Sequence, residues 1–98
     1  MSEDALSQAA AKAVRAQNLL DNELLAEAFK GLEDAYIAKW RSTTIDDVSA
    51  REKLFLAINV VGKVRDHLTA IVQNGKLAQA ELKELAETAE RKRRFGLI

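Results

Sequence analysis

Apolar positions recur at helical spacing along almost the whole chain. In the first stretch, Glu3 to Leu20, they are Leu6, Ala9, Ala10, Ala13, Val14, Ala16 and Leu20. Apart from Leu6, Val14, Leu19 and Leu20 this face is alanine. It forms a helix but buries little area, so it is the segment most prone to fray or to need a partner. Asp21 and Asn22 are capping residue types that end this helix and begin the next.

A second stretch, Glu23 to about Arg41, places Leu25, Phe29, Leu32, Tyr36 and Trp40 at spacings of 4, 3, 4 and 4. Ala28 and Ile37 widen the stripe, which predicts an amphipathic helix of about five turns. Gly31 weakens its middle by roughly 1 kcal/mol relative to Ala, which points to close approach of a neighbouring helix.

Ser42 to Asp47 is the clearest linker. Thr44 with Asp47, and Ser49 with Glu52, have the spacing of a capping box, so a third helix starts between Ile45 and Ala50. Its stripe is Leu54, Ile58, Val61, Val64, Leu68 and Ile71, and Phe55, Val60 and Val72 extend the apolar surface beyond one face. A helix apolar around so much of its circumference is central or part of an oligomer. Asn74-Gly75 reads as a stop after Gln73, with Gly75 in the left-handed conformation that closes a helix. A fourth helix, Lys76 to about Arg94, carries Leu77, Ala78, Leu82, Leu85 and Ala89.

The predicted fold class is all-α, an antiparallel helical hairpin or small helical bundle that is oligomeric. It is one domain over residues 1–98, with an alanine-rich N-terminal helix (1–21), a helical core (22–90) and a basic-apolar C-terminal tail (91–98). A third helix of about 40 Å beside shorter ones leaves apolar surface that self-association covers.

Charge narrows the function. Fifteen basic and fifteen acidic residues give a formal net charge of zero. A dispersed basic footprint for nucleic acid is absent, and tight monomeric DNA binding is disfavoured. Without Cys there are no disulfides or thiolate metal sites. No run of about 18 apolar residues exists, so no membrane span is expected. Met-Ser-Glu-Asp lacks the layout of a signal peptide, and the expected compartment is the cytoplasm.

No catalytic constellation has convincing spacing, so the chain reads as a non-enzyme without metal or cofactor. The lone His67 cannot supply a zinc site and reads as an interface or boundary residue. Val61-Gly62-Lys63 lacks the glycine pattern that cradles phosphate. Tyr36 and Trp40 fit a helix core, and with Arg41 they also fit a stacking platform for a base or nucleotide. Arg51, Lys63 and Arg65 serve anions only if several chains gather them. Arg91, Lys92, Arg93 and Arg94 suit the negative end of a helix dipole. With Phe95, Leu97 and Ile98 they also fit a docking segment, basic side chains on an acidic surface or phosphates and apolar ones in a groove.

Leu24-Leu25, Ala28-Phe29, Leu32-Glu33, Trp40-Arg41-Ser42-Thr43, Asp47, Arg51-Glu52 and Asn74-Gly75-Lys76-Leu77-Ala78 together resemble short helical proteins of tailed bacteriophages and prophages. Small terminase subunits are among them. The resemblance runs from Leu24 to Ala78. It implies a homo-oligomeric ring acting in DNA packaging or virion assembly in the host cytoplasm, with residues 91–98 facing the large terminase motor or DNA. The separate helix-turn-helix domain of many small terminases is missing. A second phage class implies a sponge that binds cyclic nucleotides between subunits, using Tyr36, Trp40 or a basic side chain. A helical adaptor or inhibitor of a host protein is the remaining alternative.

Overall fold

A computed structural model describes residues 2–96. These residues form three helices, α1 (Glu3–Asp21), α2 (Glu23–Ser42) and α3 (Val48–Arg94). The fold class is all-α, as propensity and periodicity predict. Local chemistry sets the boundaries. The Ser2 hydroxyl accepts from the Ala5 N–H at 3.1 Å and starts α1. The Asn22 side chain accepts from the Leu25 N–H at 2.9 Å, so a single extended residue separates α1 from α2. Thr44 to Asp47 forms the turn before α3, where the Asp47 carboxylate accepts from the Thr44 N–H (3.0 Å) and Oγ1 (3.2 Å). Helix α3 starts at Val48, inside the window the capping signals predict.

Both α1 and α2 lie along α3 and run opposite to it. Leu6 and Ala9 sit beside Ala78 and Glu81, and further along Ala13 and Gln17 sit beside Val72. Glu33 then meets Arg65, and Thr43 meets Arg51. On α3 the packed positions are Leu54, Ile58, Val61, Arg65, Leu68, Val72 and Gly75, all half-buried or buried. Their spacing of 4, 3, 4, 3, 4 and 3 is the 3.5-residue repeat of a coiled-coil seam. The core is small. Its buried apolar residues are Leu6, Ala13, Ala16, Val72 and Ala78.

Three sequence expectations are corrected. Asn74-Gly75 does not end a helix, and the predicted third and fourth helices are one element of 47 residues. Gly75 is buried in the seam under α1. A Cβ there would fall on the Ala13 Cβ and lie 2.9 Å from the Ala9 carbonyl oxygen. The glycine lets two backbones approach, and the left-handed glycine that closes α3 is Gly96, at φ 69°.

The second correction concerns which residues face inward. Leu32 and Val64 stand outside, 44% and 46% exposed, while their neighbours Glu33 and Arg65 occupy the seam. Arg65 reaches the Glu33 carboxylate at 3.3 Å, and its guanidinium lies 5.4 Å from the Phe29 ring centroid. An ion pair at a seam position fixes register, because sliding either helix by a turn separates the charges.

The third concerns Gly31, where no neighbouring helix approaches and a Cβ would meet nothing within 4 Å. Gly31→Ala is therefore expected to stabilise the protein by about 0.5–1 kcal/mol, read as a raised urea midpoint at unchanged slope.

The molecule is elongated, 75 × 25 × 15 Å, with a radius of gyration of 21.5 Å. A compact chain of this length would have a radius of about 13 Å. It exposes 7709 Å², about 2,200 Å² more than expected for a folded monomer of its mass.

Candidate functional site

The sequence-derived candidates fall at three separate places along α3. The first is the turn end, where α2 meets the start of α3. Trp40, half-buried on the last turns of α2, carries the Arg51 guanidinium 4.3 Å above its ring centroid. Arg51 Nη1 also donates to Thr43 Oγ1 at 2.8 Å, and that hydroxyl donates to the Trp40 carbonyl at 2.6 Å. Cation–π stacking and these hydrogen bonds tie the two helices together across the linker. Tyr36 is half-buried one turn earlier, and Arg41 is exposed. The structure thus pairs Trp40 with Arg51 rather than with Arg41. A shallow groove of about 420 Å³ beside them is completed by Glu52, Phe55 and Leu56.

The second place is His67, exposed about 24 Å further along α3. It borders a shallow groove of about 440 Å³ with Val60, Lys63, Val64 and Leu68. The third is the end of α3, beyond the start of α1. Arg91, Lys92, Arg93 and Arg94 form its last turn and are exposed, and Arg91 donates to Thr88 Oγ1 at 3.2 Å. Glu87 and Glu90 share a groove there with Lys83, Arg91 and Arg94, so the basic charge is partly offset on that side. Phe95 is exposed at the helix end, while Leu97 and Ile98, the other apolar residues of the expected docking segment, lie outside the described residues.

Distances of tens of ångströms rule out one composite site made of Trp40, His67 and Arg91. Among the described residues there is no buried polar or charged residue and no cluster of three His, Asp or Glu side chains placed to hold a metal. No helix among them is long and apolar enough to cross a membrane. What the arrangement offers is surface: an apolar row on α3 and a cationic helix end.

Sequence reasoning missed the groove between α1 and α3, about 440 Å³ and lined by Leu6, Ala9, Lys12, Ile71, Asn74 and Leu77 among others. Reading Asn74-Gly75 as a turn divided α3 at that point. No family model, no curated protein and no solved structure matches the chain.

Proposed function

We propose that this chain is a non-enzymatic subunit of a homo-oligomer built from antiparallel helical hairpins, acting through assembly and docking rather than through a reaction. The observation that carries the reading is the surplus of about 2,200 Å² of accessible surface over a compact monomer of the same mass. A standard protein interface needs about 800 Å² from each partner. Leu24, Leu56 and Val60 are each more than half exposed, which is costly in water for a lone chain and ordinary at an interface.

The setting in phage DNA packaging or virion assembly comes from the small-terminase resemblance between Leu24 and Ala78. The cationic end of α3 suits it, because an oligomer gathers several copies of Arg91 to Arg94 and makes a weak anion site multivalent. The partner is DNA or the large terminase of the packaging motor.

Light scattering should give a mass that is a multiple of 10.8 kDa. Removing residues 91–98 should leave that mass unchanged in subunit number. It should weaken DNA binding and flatten its salt dependence by about 3–4 units of the log–log slope per chain engaged. Unchanged binding after the deletion removes this segment from the mechanism.

The cyclic-nucleotide sponge would use the Trp40 groove. Arg51 is engaged there by both Trp40 and Thr43, which counts against a free phosphate clamp.

A further inference from the structure

The seam that α3 presents to α1 and α2 is not its only one. One residue before Val61, Arg65, Leu68, Val72 and Gly75 runs a second row: Val60, Val64, His67, Ile71 and Asn74, spaced 4, 3, 4 and 3. It repeats every 3.5 residues like the first and is turned about 100° from it around the helix. In its first half no other helix among the described residues packs over it. Val60 and Val64 are 58% and 46% exposed, and His67 is exposed as well. In its second half it becomes one wall of the open groove between α1 and α3.

Helix α2 carries a matching flank. Leu24, Ala28, Leu32 and Ala35 are all exposed, and each lies one residue before Leu25, Phe29, Glu33 or Tyr36, about 100° around α2 from the residues that face α3. Because α2 runs opposite to α3, the two rotations turn toward the same side of the helix pair. The exposed row of α3 and the exposed flank of α2 therefore make one continuous lengthwise face. Its α2 half alternates leucine with alanine, an apolar edge on which the alanines leave room for a further helix.

We propose that a second copy of this chain packs on this face, with helices inserting along both rows to form a multi-helix bundle. The inference rests on the reading of the protein as an assembly subunit and names the surface that assembles. The occupant is a second copy for two reasons. The surplus surface exceeds the contribution of one partner to a stable interface. The chain is formally neutral, so two copies meet without net repulsion. Asn74 and His67 are the polar members of the row, placed to limit the pairing to registers in which both find partners.

The decisive test compares the wild type with the double substitution Val60→Glu and Val64→Glu, and with Leu32→Glu on the α2 side of the face. Gln73→Glu, exposed on the other side of α3, is the control. By native mass spectrometry the first two are expected to fall to 10.8 kDa while the control keeps the wild-type mass. A double variant that keeps the wild-type mass overturns this face as the interface and leaves the oligomer reading standing. A monomeric wild type at high concentration overturns both.

Hydroxyl-radical footprinting of the wild type gives an answer that does not depend on any variant folding. His67 should be protected in the assembly and Phe55, on the opposite side of α3, should react freely. The reverse pattern overturns the proposal.

Discussion

Gly75→Ala should destabilise the protein by about 2 kcal/mol, even though alanine is the better helix former by about 1 kcal/mol. The new methyl would collide with the Ala13 side chain and crowd the Ala9 carbonyl oxygen at 2.9 Å. Backbone atoms do not swing away as a long side chain does, so α1 must lift from α3. The expected signature is lower cooperativity in urea and faster amide exchange over Glu3–Asp21, with α2 largely unaffected. Gly31→Ala is the internal control, since the same change there meets open space. Opposite signs at the two glycines would separate contact from propensity. A stabilising Gly75→Ala would mean that α1 does not pack on α3 as described.

Leu6→Ala is the second large effect, about 3 kcal/mol of destabilisation. Leu6 is 1% exposed, the one large side chain on the molecule that is fully enclosed among the described residues. The other buried residues of α1, Ala13 and Ala16, contribute one methyl each. The hold of α1 is therefore concentrated at its first turns, near Ala78, and its loss should leave the alanine-rich helix frayed. Circular dichroism should show the loss of up to one helix of signal below the main thermal transition. A change under 1 kcal/mol would show that α1 is held by something other than its apolar anchor.

How far the fold could be read from the residues depended on which signal was local. The starts of α2 and α3 were readable because Asn22 and the Thr44–Asp47 turn settle hydrogen bonds within a few residues. The inward faces were readable only in part. Choosing the more apolar neighbour put Leu32 and Val64 in the core; on α3 the spacing alone points to Arg65, whereas on α2 it fits Leu32 as well as Glu33 and only the contact with Arg65 selects the glutamate. The packed row of α3 keeps its 4–3 alternation through Arg65.

Gly75 was misread for a related reason. The Asn-Gly dipeptide is a turn signal by composition. The alternation that continues from Leu68 through Val72 to Gly75 marks it as a packing position. The pairing of Trp40 with Arg51 was hidden because the two are eleven positions apart, on opposite sides of the linker, while Arg41 is adjacent in sequence. The cationic end of α3 was plain from composition.

Because α3 is unbroken from Val48 to Arg94, the compass direction of its arginines is a matter of counting. One residue inserted between Ala86 and Arg91 would swing the cationic end by about 100° and advance it by about 1.5 Å, with Leu6 still packed beside Ala78 and Glu81. A full heptad would move that end outward by about 10 Å at nearly its old bearing. The helix thus acts as an angular gear between the packed region and whatever the arginines touch. Its azimuth, more than its charge, distinguishes a correctly spaced chain from one shifted by a single codon.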